Sequence, residues 1–459
     1  MPFLTILLCA IAATSHAATR PNIILIVVDD MGRDWVSCYG AENQTPNIDR
    51  LATQGVRYET AWCMPVGTPT RVTMLTGQYP FRHRWTRHGD APRRDGGGLS
   101  STRFTTFARV LQDNGYATAI GGKWQINDLS VQPDALRKHG FDEHCVWTGA
   151  DPVSPERSNP ARDAPKRSAP KHGVPKLGAP KHDVPKLGAP ESETQVGRGH
   201  ILTNGHAENV SDGSDSINRF LIDFIQRHKS TQPFLVYYPM LLARSPQTTT
   251  PLLEGNPSDV KETLFATNVR RADQLVGRLI ATVDQLGISK NTLVVFTSDN
   301  GSAVAGTLGG IPFEKGKGRK ADLGAHVPFI VRAPFLSPGH RISRDLIDAT
   351  DLFPTFLDLA NATCPPGVAL DGRSFEPSLR GTEDPFEKRN WIFSQLGDFR
   401  MVRDWQHIVD SDGNFHDLTK DPLQQHEVST LDKIAPGRRQ RLEMILERFP
   451  KNAAEPFAD

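Results

Sequence analysis

The chain has 459 residues, a formal net charge of +1 and 38% hydrophobic residues. These values fit a globular protein with room for one large domain and a smaller one. The balanced charge excludes a whole-molecule field that would draw the chain to nucleic acid or an anionic membrane.

Residues 1–17 read as a secretory signal. Phe3 to Ala13 is an apolar run, and Ser15-His16-Ala17 offers small residues for cleavage. The segment before the run has no Lys or Arg, so a short N-terminal membrane anchor stands as the alternative. No other stretch is apolar for long enough to span a bilayer, and a secreted or periplasmic location is expected. After cleavage Cys38, Cys63, Cys145 and Cys364 would remain, enough for up to two bridges of open connectivity.

Asn22 to Val28 is a continuous apolar, β-branched run ending at Asp29-Asp30. It predicts a strand buried on both faces, as in the middle of an α/β sheet. Thr105 to Gln112 predicts a helix stopped by Asn114-Gly115. Residues 151–197 break the pattern. Ala169 to Gly178 recurs almost unchanged as Ala179 to Gly188, rich in Pro and Lys. Such a segment cannot supply ladder donors or bury much apolar surface. It reads as an extended basic insertion, either a solvated spacer or an arm for an anionic polymer.

Beyond it, Ser216 to Lys229 and Lys261 to Leu286 have apolar residues at helical spacing. Phe234 to Tyr238, Leu293 to Thr297 and Phe329 to Val331 read as strands. Alternating strands and helices predict an α/β domain over 18–362. From about Thr363 shorter runs, Trp391 to Phe393 and Gln406 to Val409, predict a smaller α+β domain over 363–459. It closes with a helix from about Pro436 to Arg448.

Two strand ends carry chemistry. Asp29, Asp30, Asp299 and Asn300 together offer three carboxylates and one amide oxygen. A hard-oxygen set of this kind suits Ca²⁺ or Mg²⁺ better than Zn²⁺. The ends of parallel strands are also where α/β sheets place their sites.

The segment from Val66 to Gly77 resembles the nucleophile segment of the sulfatase family. That family carries Cys or Ser, any residue, Pro, a small residue and Arg, then a helical run ending in Thr-Gly. The resemblance extends through Val28-Asp29-Asp30-Met31-Gly32, Thr45-Pro46-Asn47-Ile48-Asp49-Arg50-Leu51-Ala52 and Gly121-Gly122-Lys123-Trp124. It continues in Thr297-Ser298-Asp299-Asn300-Gly301, Gly316-Lys317-Gly318, Asp322 to Pro328 and Asp351-Leu352-Phe353-Pro354-Thr355. It implies an alkaline-phosphatase-like large domain, with helices flanking a central mixed sheet, and a smaller C-terminal domain. It also implies Ca²⁺ at the acidic set, with Arg71, Lys123 and Lys317 around a bound sulfate.

The chain departs from that pattern in three places. Gly67 stands where the family has the Cys or Ser that becomes formylglycine, so no formylglycine is expected. Gln125 and Arg244 stand where the family has histidines that assist proton transfer. Gln cannot titrate, and Arg stays charged at any physiological pH. Cys63 lies four residues before Gly67, and Thr68 one after it, where its hydroxyl would face away unless the turn shifted.

The expected function is therefore a secreted sulfatase-like protein with a metal and anion pocket but weak or absent hydrolysis. Its ligand would be sulfated carbohydrate or another sulfate or phosphate ester. One alternative is a working hydrolase that uses a metal-activated water. A further alternative is a partner-binding protein acting through the insertion.

Overall fold

The computed structural model describes residues 20–88, 98–148, 199–210, 213–244, 257–308, 310–382, 384, 388–428 and 435–450. The expected signal and the whole basic insertion, residues 151–197, lie outside the described residues.

The large sheet has ten strands. They are β1 (Asn22–Val28), β2 (Val56–Trp62), β3 (Ala117–Lys123), β4 (Glu143–Trp147), β5 (Gly199–Thr203), β6 (His206–Val210), β7 (Phe234–Pro239) and β8 (Thr292–Ser298). After a small hairpin of β9 (Gly306–Leu308) and β10 (Ile311–Phe313) come β11 (His326–Arg332) and β12 (Arg341–Asp348). The spatial order is β12-β2-β11-β8-β1-β7-β3-β4-β5-β6. β8, β1, β7, β3 and β4 run parallel, so their carboxyl ends share one edge. β11 is antiparallel to both β8 and β2. The expected mixed α/β sheet is the observed one.

All seven residues of β1 are buried, as the run of β-branched residues requires. Its side chains alternate between two cores. Ile23, Leu25 and Val27 join α3 (Phe107–Asp113) and α6 (Leu352–Ala360) on one face. Ile24, Ile26 and Val28 join α1 (Pro46–Thr53), α4 (Gly213–His228) and α5 (Pro257–Gln285) on the other. Between them in sequence lies α2 (Gly67–Thr76), ten residues long and buried throughout. It ends at Gly77 in the left-handed region (φ 65°), where a β-carbon would run into Phe353 and Leu370.

The small domain is an antiparallel sheet of β13 (Ile392–Leu396), β14 (Phe399–Arg403), β15 (His407–Asp410) and β16 (Phe415–Asp417). It is covered by α7 (Ala435–Leu446) through Leu442 and Ile445. Met64 and Tyr79 belong to the same apolar cluster as Phe393 and Val402. Ser394 Oγ donates to the Cys63 carbonyl at 2.7 Å. The small sheet thus braces the segment that leads into α2.

Of the up to two bridges that the four cysteines allowed, none is formed: Cys38, Cys63, Cys145 and Cys364 are all free thiols. No helix among the described residues is long and apolar enough to cross a membrane.

Candidate metal and anion site

The parallel strands deliver their terminal residues to one place. β1 ends at Asp29-Asp30 and its neighbour β8 ends at Asp299-Asn300. Asp30 takes a left-handed turn (φ 66°), so its backbone N–H donates to Asp299 Oδ1 at 3.1 Å. One carboxylate oxygen from each of Asp29, Asp30 and Asp299 lies within 4.8 Å of the others, and all three residues are buried. Asn300 Nδ2 donates to Asp30 Oδ1 at 3.0 Å and to the Gly301 carbonyl. Its Oδ1 is buried with no hydrogen-bond partner among the described residues. A lone amide oxygen beside converging carboxylates is the donor set a hard divalent cation takes up. The residues fit the metal that the sequence implies.

Each carboxylate also has a cation. Lys123, the last residue of β3, donates to both oxygens of Asp29 at 2.8 and 2.7 Å. Lys317 Nζ lies 2.7 Å from Asp30 Oδ2. Arg71 Nη1 pairs with Asp299 Oδ2, and both side chains are buried. Burial lowers the pKa of Lys123, although Asp29 opposes it. Burial also works against the Lys317 charge, but Asp30 and Asp29 outweigh it and raise its pKa. The lysines differ because Lys317 is 36% exposed at its side chain and Lys123 only 9%.

Gly67 opens α2, and Arg71 lies one turn further along it. Both face Asp299. A β-carbon placed on Gly67 would lie 2.0 Å from Asp299 Oδ2 and 2.8 Å from Arg71 Nη1. A side chain at position 67 would therefore project into the acidic cluster. With glycine there, the Asp299 carboxylate fills that space. Thr70 ties the start of the helix down: its Oγ1 donates to the Met64 carbonyl and accepts from the Met64 N–H, each at 3.0 Å.

The other expected site residues are less closely joined. Gln125 has φ 54° and a buried amide oxygen without a partner among the described residues. The Arg244 guanidinium lies over the Trp147 ring, 4.6 Å from its centroid. Trp147 is the register partner of Lys123 across β3 and β4, so Arg244 borders the site through that ring. Burial pushes the Cys63 thiol well above its ordinary pKa, and it is no thiolate nucleophile. Thr68 Oγ1 lies 3.1 Å from His88 Nδ1 and 3.5 Å from Arg71 Nη2. The expectation that Thr68 turns away from the site residues is corrected by its contact with Arg71. His88 went unnoticed in the sequence, because a contact across 20 residues leaves no periodic signal.

The fold is α/β with a charge-paired cluster at its strand ends, and comparison makes the class specific. The sulfatase family model matches residues 21–362, and the chain belongs to the sulfatase family. Steryl-sulfatase of Mus musculus is 31% identical over 461 residues, covering 88% of this chain and 72% of that protein. N-acetylgalactosamine-6-sulfatase of Canis lupus familiaris is 29% identical over 423 residues, covering 87% and 73%. Among solved structures, Ps i-CgsB in complex with k-i-k-neocarrahexaose superposes with a TM-score of 0.70 at 23% identity, covering 94% of this chain and 92% of that one. That likeness bears on fold alone, and the fold is alkaline-phosphatase-like.

Proposed function

We propose that this protein binds a sulfate ester beside a divalent cation, with hydrolysis blocked or severely weakened at position 67. The observation that carries the reading is the contrast within one cluster. The charged groups stand together, while the position aimed into them has no side chain. Asp29, Asp30, Asp299 and Asn300 would hold the cation, Ca²⁺ in first place and Mg²⁺ in second. Bound there, the cation supplies positive charge against the ester oxygens.

The charge count supports this reading. Three carboxylates face three cations, Lys123, Lys317 and Arg71. Adding a divalent ion leaves an excess of two positive charges, which favours an oxyanion. Arg71 offers a planar fork to tetrahedral oxygens and Lys317 a mobile point charge. Gln125 and Arg244 replace proton carriers with groups that do not titrate usefully. Sulfated carbohydrate is the favoured ligand class, since one relative is named for an amino-sugar sulfate.

The test is turnover of an aryl sulfate by the purified protein with Ca²⁺, beside Gly67→Cys made in a host that installs formylglycine. The expected result is no wild-type turnover and a gain in the variant. Wild-type turnover abolished by Lys317→Ala would overturn the reading.

A second reading has one observation in its favour. His88 places a titratable imidazole 3.1 Å from Thr68, close to Arg71. It would serve as the proton carrier for a water lodged near position 67. Wild-type turnover lost in His88→Gln would support that reading against the first.

A further inference from the structure

A cavity of about 400 Å³ lies where the large sheet meets the small one. Arg33, Arg344, Arg403, Glu59, Asp322 and Trp405 are among its lining residues. Ser302 ties it to the carboxylate cluster: its Oγ donates at 2.7 Å to Asp34, the neighbour of Arg33, and its carbonyl accepts the Lys317 N–H at 2.9 Å.

The charges in this cavity do not cancel. Asp322 is already held by Arg403 at 2.6 Å and by His326 at 2.9 Å, and it accepts the Trp62 indole N–H. Glu59 is engaged by Arg57 at 2.8 Å. Arg33 has no carboxylate within ion-pair distance among the described residues. Its Nη1 makes one long bond, 3.4 Å, to the Glu59 carbonyl. Burial lowers its pKa, as for a cation that has lost water without a close partner. Arg344 is exposed and likewise has no carboxylate within ion-pair distance among the described residues. Two guanidinia thus line the cavity without a carboxylate in contact.

Beside them stands an indole. Trp405 is 44% exposed, and its N–H donates to the Arg344 carbonyl at 2.7 Å, which fixes the ring as a wall of the cavity. Planar forks for oxyanions next to an apolar ring with a polar rim form the surface an anionic sugar requires. The volume also suits one or two sugar units.

We propose that this cavity is a second saccharide subsite. It takes the sulfate or carboxylate of a sugar residue further along an oligosaccharide whose sulfate ester sits at the carboxylate cluster. The inference rests on the ligand class proposed above, but not on any turnover. Chain length rather than the single ester then sets affinity, because two linked contacts bind as one event.

The experiment is calorimetric titration of the full chain in Ca²⁺. The probes are a sulfated glycosaminoglycan tetrasaccharide, its chemically desulfated form and a sulfated monosaccharide. Wild type is expected to bind the sulfated tetrasaccharide at least tenfold more tightly than the monosaccharide. Arg344→Gln combined with Trp405→Ala should erase that advantage and leave monosaccharide binding unchanged. Both residues are exposed, so the variant tests binding rather than folding, and Arg33→Gln is the matching interior change. Residual tetrasaccharide binding after desulfation, sensitive to the double variant, assigns the cavity to a carboxylate. Loss on desulfation assigns it to a sulfate. Unchanged tetrasaccharide affinity in the double variant overturns the inference. If Lys317-dependent monosaccharide binding persists in that case, the proposed function stands without it. If no sulfated sugar binds wild type, both fall.

Discussion

Position 67 couples two features that seem unrelated in the sequence. Glycine there offers no side chain, and the space is filled by the Asp299 carboxylate that pairs with Arg71. A methyl group there would meet Asp299 Oδ2 at 2.0 Å, so Gly67→Ala must displace a buried, ion-paired carboxylate. Overpacking of this kind costs about 1–3 kcal/mol. Gly67→Ala is therefore expected to lower the urea midpoint without changing the slope. An unchanged midpoint would mean that Asp299 turns aside freely. At this scale the carboxylates were legible, because acidic pairs at the ends of apolar strands stand out against buried runs. The lysines and Arg71 were legible through their motifs. The orphan oxygen of Asn300 and the Thr68–His88 contact were not, since both depend on which way an atom faces.

At the scale of elements, the buried strands with continuous apolar runs were legible and the others were not. β1 and β8 are apolar throughout and buried throughout. β2, with Arg57 and Glu59 on its half-buried face, and β12, with three exposed or half-exposed polar positions at its start, carry no continuous apolar run. β3 is buried but contains Gly121-Gly122, which reads as a breaker. The β5–β6 hairpin did have a signal: Asn204-Gly205, both at positive φ, is the two-residue turn that joins antiparallel strands. The junction of α2 with the loop after it makes a pH prediction. His83 is buried, its Nδ1 accepts the Trp85 N–H at 3.1 Å and its Nε2 lies 3.0 Å from Thr73 Oγ1. The accepting Nδ1 requires the neutral ring. Burial lowers its pKa from 6.5 to about 3. The folded form resists a proton that the unfolded form takes, so the stabilisation is complete above pH 6.5 and is lost as pH falls toward 3. By pH 5 the loss is about 2 kcal/mol. His83→Gln, which can keep both bonds and cannot titrate, should show a smaller fall in melting temperature between pH 7 and pH 5 than wild type. Equal falls would remove His83 from the acid response.

At the scale of the whole molecule, the two domains act on one site from opposite directions. The large sheet brings carboxylates and lysines to its carboxyl edge. The small sheet holds Met64 and Cys63 in place ahead of α2, so position 67 is set by contacts more than 300 residues away in sequence. The small C-terminal sheet was legible from the shorter strand runs, such as Gln406 to Val409, near the end of the chain. The bracing was not, because it depends on pairings such as Ser394 with Cys63 that no local pattern encodes. The carboxylate cluster then makes the molecule's stability depend on cation. Without the ion, Asp29, Asp30 and Asp299 repel one another at close range, a repulsion that their three cationic partners and the Asn300 amide offset in part. A ligand that binds the folded chain alone stabilises it by about 2.7 kcal/mol at 100 times its Kd. Excess Ca²⁺ should therefore raise the melting temperature over excess chelator, and Mg²⁺ should do so less if the site favours the larger ion. Asp29→Ala combined with Asp299→Ala should erase the Ca²⁺ shift, because two of the three carboxylates are gone. Equal melting temperatures with Ca²⁺ and chelator in the wild-type chain would mean that the lysines and Arg71 alone satisfy the cluster. In that event the oxyanion would have to be held by the same three cations that the carboxylates already occupy, and the proposed pocket would have no spare positive charge to hold it.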